Sequence, residues 1–598
     1  MKTRVADYIA KGIAARGVKN VFLLSGGGMM HLLDGLALNK ALSLVFHHHE
    51  QCAGIAAEAY ARIRGSASFC FATSGPGATN IVTAVAGAWL DSSPVVFITG
   101  QSKRSQTLRN SRIAGLRQFG TFEVDVIEIV RSITKFTWFL DKPEDIPYVF
   151  EKACSIAEFG RPGPVLIDVP VDVQGTFFEP TGCRKFLPIS GTIRPDRTVF
   201  DAIMARWDQA KRPLILSGNG VGIARQGSLL MRVSRLKQTP VVTTQMGKDA
   251  VPYEDDYWIG HPGIKGDRAG NIAIQNADFI ITIGASLHVF TTGYELDGFA
   301  PDAWIAQVDL DDAIFDREDV GVAVRCRADV KSFLEEVDRI GGPNATDSAR
   351  QSWLKGLLAC KRRFEVYSEP HKSEIGRINM YYVLRAFNEM SADGDIVVAD
   401  AGSAFYTVGQ AWEVRVGQRV LISGGMGAMG WAFPAATGAA VASGRRVFCF
   451  TGDGSAQTNL HELAVISKNR LNIKIVIFNN NGYLSIKNTQ DNYFHGNYAG
   501  VNESSGVFLP PIIDIAALYG IAYAKAESPE QLDAAIAKAF AADGPFVIEA
   551  MTNVNQEIIP SVNSRKLEDG TMASSQLDQM SPSLSEKDIN DIRVLVRQ

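Results

Sequence analysis

The chain has 598 residues, of which 46% are hydrophobic and 21% charged, and its formal net charge is −4. This length predicts about three to four domains, each large enough to bury a core of its own. The composition is that of an ordinary globular protein. The charge balance gives no sign of the strongly basic surface with which proteins bind nucleic acids or anionic membranes.

The seven cysteines are scattered along the chain, and none of them forms a Cys-x-x-Cys pair. They predict neither a disulfide framework nor a zinc site, and a reducing compartment fits them best. The N-terminal segment 1–18 is amphipathic and contains an acidic residue, and no run of about 18 apolar residues occurs anywhere. The sequence therefore predicts a cytoplasmic protein without an export signal or a membrane span.

Short strand-like runs alternate with helical patterns, which is typical of parallel sheets covered by helices on both faces. In the first part of the chain these runs fall at 20–24, 43–47, 68–72, 94–99 and 164–169. A second unit has them at 213–216, 240–244, 279–283 and 304–310. A third has them at 396–399, 420–422, 447–450, 473–478 and 546–549.

We therefore predict an α/β fold with three doubly wound parallel-sheet domains. Their expected bounds are 1–180, 195–345 and 375–555. The polar segment 179–196 is interpreted as a linker, and a charged helix at 349–365 is expected to connect the second domain to the third. The polar composition of the C-terminal residues 556–598 predicts a tail or lid more than a core.

In the first domain, a strand runs into His47-His48-His49-Glu50 and then into a helix of small residues at 52–62. Three consecutive histidines could indicate a metal, but neighbours on a strand point to opposite faces and cannot all reach one ion. Glu50 stands where the strand meets the helix. Considered alone, it would be a solvated residue of a first helical turn.

In the third domain, two predicted strands each end in a glycine-containing loop, Gly452-Asp453-Gly454-Ser455 and Asn479-Asn480-Asn481-Gly482-Tyr483. A helical pattern lies between them, so the loops are neighbours at the sheet edge where such folds bind ligands. Either loop alone would be an ordinary turn. Together, the Asp453 carboxylate and the Asn480 amide oxygen predict a Mg²⁺ or Ca²⁺ site that is completed by phosphate oxygens.

These motifs resemble the thiamine diphosphate (ThDP) enzymes, and in particular their acetolactate synthase branch. The resemblance rests on the two loops just described and on segments 49–62, 74–80, 161–165 and 423–430, which occur in the family's order. It implies that Asp453, Asn480 and the Gly482 carbonyl bind Mg²⁺, which holds the cofactor diphosphate. Further cofactor-binding residues that it implies are Gly402, Ser403, Gly452, Gly454, Ser455 and Tyr483.

The same resemblance implies roles around the pyrimidine ring of the cofactor. Glu50 would hydrogen-bond the N1′ atom and drive the tautomerism that deprotonates the thiazolium C2 carbon. The Gly427 carbonyl would accept from the 4′-amino group, Met429 would prop the cofactor in its bent shape, and Pro76 and Asn80 would lie beside the ring. Family members place the equivalents of Glu50 and Asp453 on different subunits, so a homodimer or homotetramer is implied.

The implied activity is a carboligase that decarboxylates pyruvate and transfers the two-carbon unit to a carbonyl acceptor. Acetolactate synthases narrow the acceptor site with a Trp, at a place where this chain has Thr489. That change, with segments 482–490 and 568–584, resembles carboligases that use a nucleotide-linked keto-sugar, as in yersiniose-type branched-sugar biosynthesis. The other acceptor-pocket candidates are Gly27, Gly28, Gln101 and Ser485.

Three alternatives to the keto-sugar enzyme stay open. The first is an acetolactate synthase that joins pyruvate to a second 2-oxo acid, and the second is a simple 2-oxo acid decarboxylase. The third is a regulatory protein of the same fold that has lost its activity, although the joint presence of Glu50, Asp453 and Asn480 argues against it. In every case small molecules are expected as substrates or ligands, with neither nucleic acid nor membrane as partner.

The central domain resembles the one in which acetolactate synthases hold FAD structurally, without redox turnover. A Gly-Asn-Gly loop alone is a weak phosphate-binding motif, and the family's Arg-Phe-Asp-Asp is replaced here by Ser286-Leu287-His288-Val289. FAD is the favoured ligand, and ADP or no ligand are the alternatives. The candidate residues are Gly218, Asn219, Gly220, Gly284, Ala285, Ser286, Asp309, Asp311 and Asp329.

Overall fold

The computed structural model describes residues 1–342, 347–566 and 572–597. Its main feature is three six-stranded sheets, one in each of three consecutive parts of the chain, and every strand pair in them is parallel. Phe448 and Cys449 are neighbours on one strand of the third sheet, and they belong to two different hydrophobic clusters. Both faces of that sheet are therefore covered. The predicted α/β fold of three parallel-sheet domains is confirmed.

The first sheet lies in the N-terminal domain, and its strands, in spatial order, are Ser43–Phe46, Asn20–Leu23, Ser68–Ala72, Val95–Gln101, Val165–Pro170 and Phe136–Phe139. The 3₁₀ turns there are Gly27–Met29, Arg104–Gln106, Arg131–Ile133 and Pro143–Asp145. A two-residue pairing, Thr3–Arg4 with Phe177–Phe178, ties the start of the domain to its end. The helices are Val5–Ala15, Met30–Leu38, Glu50–Arg64, Pro76–Asn80, Val82–Leu90, Leu108–Ser111, Val126–Val130, Ile146–Glu158 and Val171–Gln174.

The sheet of the central domain has the spatial order Trp258–Gly260, Val241–Thr243, Pro213–Ser217, Phe279–Ile283, Trp304–Asp309 and Val322–Arg327. Its helices are Arg197–Gln209, Asn219–Ile223, Gly227–Leu236, Arg268–Asn276, Val289–Thr292, Asp312–Phe315 and Val330–Ile340. The 3₁₀ turns are Gln245–Ala250 and Leu296–Gly298. The expected connecting helix is present as Ser348–Arg363.

The sheet of the C-terminal domain has the spatial order Arg419–Ile422, Ile396–Ala399, Val447–Gly452, Ile473–Asn479, Phe546–Met551 and Ala522–Ala526. The helices are Met380–Met390, Ser403–Ala411, Ala432–Ser443, Asp453–Thr458, Glu462–Lys468, Leu484–Phe494, Ile512–Leu518 and Pro529–Ala541. Two 3₁₀ turns, Val366–Ser368 and Glu503–Ser505, lie in this part of the chain.

The tail differs from the expectation of a loop or lid. It contains the paired strands Ser564–Lys566 and Met572–Ser574 and the helix Glu586–Arg597, which packs on Ser348–Arg363. Leu577 and Met580 are buried in the hydrophobic cluster of the central domain. The tail is polar on average because its few apolar residues are widely spaced, yet those residues join a core. Residues 568–571, which belong to the segment compared above with keto-sugar carboligases, lie outside the described part of the chain.

The N-terminal and C-terminal domains pack directly on each other through two helices, Glu50–Arg64 and Ala432–Ser443. Small residues allow a close approach, because a Cβ atom on Gly438 would lie 2.0 Å from the Ala56 carbonyl oxygen. No helix in the described parts of the chain is both long and apolar enough to cross a membrane.

Candidate active site

The two loops predicted to bind a cation lie side by side in the C-terminal domain, since their strands pair in parallel up to Gly452 and Phe478. Asp453 is buried and links the loops. Its Oδ1 accepts the Gly454 N–H at 3.0 Å, and its Oδ2 accepts the Gly482 N–H at 2.9 Å. The carboxylate is thus fixed at the carboxyl edge of the sheet, as the sequence predicts.

The Asn480 side chain is also buried, and its Oδ1 atom has no hydrogen-bond partner among the described residues. An unpaired buried oxygen is unfavourable unless a ligand meets it. Burial also raises the pKa of Asp453 to about 7, although the hydrogen bonds from the Gly482 and Gly454 N–H groups oppose the shift. A divalent cation would satisfy both groups, so this pair of side chains fits Mg²⁺.

Glycine is required in these loops by close contacts. A Cβ atom on Gly454 would lie 2.2 Å from the Tyr483 ring, and one on Gly482, where φ is +148°, would lie 2.0 Å from the Val501 carbonyl oxygen. That carbonyl accepts the Tyr483 N–H at 2.8 Å. Sequence reasoning missed Val501, since no local motif marks it. Ser455, the last residue of the first loop, is buried.

Glu50 is the first residue of the helix Glu50–Arg64 and is 6% exposed. Its Oε2 accepts a 2.9 Å hydrogen bond from Asn80 Nδ2, and a Cβ atom on Gly77 would lie 3.0 Å from its Oε1. The structure therefore brings Glu50 and Asn80 together. Pro76 opens the same short helix, Pro76–Asn80, and is exposed.

The three histidines before Glu50 diverge, as the strand geometry predicts. His47 is buried, and its Nδ1 lies 3.1 Å from Glu462 Oε2, whereas His48 is exposed. Among residues 1–342, 347–566 and 572–597, no group of three or more His, Cys, Asp or Glu side chains could hold a metal ion. A cation at Asp453 and Asn480 would take its further ligands from backbone carbonyls and from oxygens of a bound molecule.

The segment 423–430, which carries Gly427 and Met429, forms a turn in which the Gly427 N–H donates to the Ser423 carbonyl at 3.1 Å. Gly427 has a φ of +62°, and its Cβ position meets open space. Met429 is 39% exposed. Gly402, with a φ of +68°, and Ser403 lie at the start of the helix Ser403–Ala411. Gly402 and Gly427 both line one cavity.

Within one chain, Glu50 begins the helix Glu50–Arg64, and the turn that carries Gly427 lies near the other end of that helix. Arg62, in the last turn of Glu50–Arg64, donates to the Ile422 carbonyl at 2.9 Å, next to the 423–430 turn. Arg62 lies twelve positions after Glu50 in the helix, which at 1.5 Å per residue is about 18 Å. The structure does not bring Glu50 and Gly427 together in a single chain.

Comparison with known proteins places this geometry in a family. Three models of thiamine pyrophosphate enzymes match the chain: the N-terminal TPP binding domain at residues 3–120, the central domain at 200–337 and the C-terminal TPP binding domain at 400–550. Acetolactate synthase 1 of Zea mays is 31% identical over 570 residues, which cover 94% of this chain and 87% of the relative. The chain belongs to the acetolactate synthase-like ThDP enzymes.

Other relatives agree with this membership. The acetolactate synthase large subunit of Cyanidium caldarium is 31% identical, with 91% of this chain and 92% of the relative covered. A probable acetolactate synthase large subunit of Methanocaldococcus jannaschii is also 31% identical, with 93% of each covered. The similarity therefore extends over all three domains, and the chain is an acetolactate synthase-like ThDP enzyme whose substrates are small molecules.

The acetolactate synthase-like chain has a cavity of about 660 Å³ where its three domains meet. Of the nine FAD candidates, seven line it: Asn219, Gly220, Gly284, Ala285, Ser286, Asp309 and Asp329. Gly218 instead packs the strand ends together, because its Cβ atom would lie 2.1 Å from the Gly284 carbonyl oxygen. Asp311 forms a 2.8 Å ion pair with Arg161, which lines the cavity. Arg317, missed by sequence reasoning, holds the 286–287 backbone through two carbonyls.

The acceptor candidates of this acetolactate synthase-like chain fall into two groups. Gly28 lies beside the 73–80 segment, since its N–H donates to Thr73 Oγ1 at 2.9 Å and Gly27 precedes it in the same turn. Gln101 is buried, and its amide group bonds to Asp168, the Val124 carbonyl and the Ser102 N–H. The second group, Ser485 and Thr489, lies on the helix Leu484–Phe494. Ser485 Oγ would be 3.3 Å from a Cβ atom on Gly402. Thr489 is exposed.

Proposed function

We propose that this protein decarboxylates pyruvate and joins the remaining two-carbon unit to a carbonyl acceptor, with ThDP and Mg²⁺ as cofactors. The observation that carries the proposal is the buried pair of a fixed Asp453 carboxylate and an unpartnered Asn480 oxygen, in a chain similar to acetolactate synthases over 94% of its length. When bound, ThDP supplies a carbon nucleophile for the ketone of a 2-oxo acid and accepts the electrons left by loss of CO₂.

The residues of the chain would hold the cofactor at both of its ends. Asp453, Asn480 and the Gly482 carbonyl would bind Mg²⁺ and through it the diphosphate, with Tyr483 packed against the loop. Gly402, Gly427 and Gly452 present backbone with open space or only one near contact at their Cβ positions, so a ligand can approach closely there. Glu50, fixed by Asn80, would exchange a proton with the pyrimidine ring.

The separation of Glu50 from Gly427 supports an active site shared between two chains. Two groups that hydrogen-bond opposite sides of one six-membered ring lie within about 10 Å of each other. The helix rise puts Glu50 about 18 Å from Arg62, which bonds to the Ile422 carbonyl next to the turn that carries Gly427. We therefore propose a homodimer, or a tetramer built from such dimers, in which Glu50 of one subunit meets Gly427 and Asp453 of the other.

The best-supported acceptor is a second 2-oxo acid, because relatives that match over 87 to 93% of their length are named acetolactate synthases. A nucleotide-linked keto-sugar is the second candidate, and the observation that favours it is Thr489. This small polar residue is exposed on its helix and leaves space where acetolactate synthases carry Trp.

We further propose that the cavity at the centre of the chain holds FAD. Its volume of about 660 Å³ is in the range of cofactor sites, and most of the candidate residues line it. A flavin absorbance spectrum of the purified protein tests this proposal. ADP released on denaturation, or no bound nucleotide, would argue against it.

The activity is tested by incubating the purified protein with pyruvate, ThDP and Mg²⁺, alone and with a keto-sugar nucleotide, and by identifying the products. Acetolactate from pyruvate alone would support the first acceptor, and a branched sugar formed in competition with excess pyruvate would support the second. Carbon dioxide and acetaldehyde without any joined product would contradict the carboligase proposal.

A further inference from the structure

The 423–430 turn, which carries Gly427, is attached to the N-terminal domain through one buried carboxylate. Asp91 is 4% exposed, and it follows the helix Val82–Leu90. Its Oδ1 accepts the Gly425 N–H at 2.8 Å, and its Oδ2 accepts the Gly424 N–H at 3.2 Å. One side chain thus accepts hydrogen bonds from two consecutive backbone N–H groups. Such bonds to an ionised carboxylate are stronger than hydrogen bonds between neutral groups.

The turn approaches the neighbouring residues as closely as glycine allows. A Cβ atom on Gly424 would lie 2.1 Å from the sulfur of Met246, and one on Gly425 would lie 2.5 Å from Leu90 Cβ. A larger residue at position 425 would clash with Leu90 and Asp91, and one at position 424 would displace the Met246 side chain. The place of the turn is therefore set by what packs against residues 424 and 425.

The far end of the turn is attached as well. The Gly430 carbonyl accepts a 2.8 Å hydrogen bond from Asn459 Nδ2. Between these two attachments, Met426 and Met429 are 41% and 39% exposed, and the Cβ position of Gly427 meets open space. The free part of the turn is thus the part that would face the cofactor.

The Arg62 guanidinium beside Asp91 reinforces the attachment of Asp91 to the turn. Arg62 Nη1 lies 3.6 Å from Asp91 Oδ2 and 3.5 Å from Glu58 Oε1. Ile422 and Trp431 flank the turn, and both bond to this cluster of side chains. The Ile422 carbonyl accepts from Arg62, and Trp431 Nε1 donates to Glu58 Oε2 at 3.3 Å. Two carboxylates and one guanidinium therefore hold the turn from both sides.

We propose that Asp91 is a positioning residue for the carboligase reaction: by fixing the 424–425 backbone, it aims the Gly427 carbonyl at the 4′-amino group of the cofactor. The inference rests on the proposed function. Asp91 touches neither substrate nor cofactor in this scheme, and it acts only through the turn. Groups around a reacting centre must be held to about 0.5 Å, so a small shift of this backbone is enough to slow the reaction.

The test replaces Asp91 and measures the step that the Gly427 carbonyl serves. Asp91→Asn keeps the size of the side chain but turns an NH₂ group toward a backbone N–H. In the holoenzyme with ThDP and Mg²⁺, we expect hydrogen–deuterium exchange at C2 of the bound cofactor, followed by NMR after acid quench, to slow on the order of 10- to 100-fold. We expect kcat to fall in parallel, and KM for pyruvate to change little.

Asp278→Asn is the matched control. Asp278 also accepts two consecutive backbone N–H groups, those of Lys211 and Arg212, at 3.0 and 2.9 Å. It precedes the strand Phe279–Ile283 and so lies at the amino end of that strand, whereas the cavity lies at the carboxyl end. This variant should lose thermal stability and keep the wild-type exchange rate.

An Asp91→Asn holoenzyme that exchanges C2 hydrogen at the wild-type rate would overturn the positioning role, whatever its stability. If that variant fails to fold, Asp91→Glu keeps the charge beside Arg62 and displaces the carboxylate by one methylene, so unchanged exchange in it would overturn the role equally. A wild-type protein that binds no ThDP, or whose bound ThDP does not exchange, would instead contradict the proposed function.

Discussion

Asn80 Nδ2 donates a 2.9 Å hydrogen bond to Glu50 Oε2, which joins the last residue of one helix to the first residue of another. The bond occupies one carboxylate oxygen and fixes the orientation of the group. The other oxygen, Glu50 Oε1, lies beside Gly77, and a Cβ atom on Gly77 would be 3.0 Å from it. A carboxylate held in this way is suited to exchange a proton with a ring that is placed against it.

We expect Glu50→Gln to lower kcat on the order of 10² to 10⁴-fold, because the amide cannot take part in proton transfer. Steady-state kinetics with pyruvate measure this change. ThDP binding, measured by calorimetry, should persist, since the diphosphate end is unaltered. Glu151→Gln, which removes a partly exposed carboxylate paired with Arg16 in the same domain, is the control and should leave the rate unchanged. A Glu50→Gln enzyme with the wild-type rate would remove Glu50 from the mechanism.

We expect Asn480→Ala to weaken ThDP binding about ten- to a hundredfold at fixed Mg²⁺, because the cation loses an oxygen ligand. Titration of the apoprotein with ThDP at several Mg²⁺ concentrations measures the effect, and a chelator should release ThDP from the wild type. Asn492→Ala, on the exposed surface of the next helix, is the control. Equal ThDP affinity with and without Mg²⁺ in the wild type would contradict the cation site.

We expect Thr489→Trp to favour small acceptors, because a large ring on the helix Leu484–Phe494 fills the space that the small side chain leaves. The measurement is a competition between pyruvate and a bulky ketone, with both products quantified in one reaction. The share of acetolactate should rise by several-fold in the variant. An unchanged product ratio would show that residue 489 does not line the acceptor site.

The contribution of Asp168 to stability should fall as the pH rises from about 4 to about 7. Burial raises the pKa of this carboxyl from 3.8 to about 7, although bonds from Thr99 and Gln101 oppose the shift. Between these values the folded chain keeps a proton that the unfolded chain has lost, so the free energy of unfolding decreases with pH. Thermal unfolding of Asp168→Asn, which mimics the neutral carboxyl, should show a flatter pH profile. An equally steep profile would contradict this assignment.

The sequence predicts the inner strands of all three sheets, and it misses strands at their edges. The missed ones are Phe136–Phe139, Trp258–Gly260, Val322–Arg327 and Ala522–Ala526, and each lies at the end of its sheet. Inner strands are buried on both faces and appear as continuous apolar runs. An edge strand such as Ala522–Ala526 is largely exposed and contains Lys525, so it lacks that pattern.

The candidate site divides in a similar way. The residues of the two loops that carry Asp453 and Asn480 are predictable, because the loops follow recognisable strands and carry their polar side chains within a few residues. The residues that hold the site in place from elsewhere in the chain are not predictable. Asp91 accepts from the Gly424 N–H, which is 333 positions away, and Glu549 accepts from Asn479, which is 70 positions away. Such pairs arise from tertiary packing, and no local spacing encodes them.

The central claim is that each active site combines Glu50 of one chain with Asp453 of another. Mixing two inactive variants, Glu50→Gln and Asp453→Asn, tests it directly after subunit exchange. If the site is shared, each mixed dimer has one site with both changes and one intact site, so activity should return to about a quarter of wild type. If mixed dimers form, as verified by mass spectrometry, and activity does not return, each site belongs to a single chain and the account is contradicted.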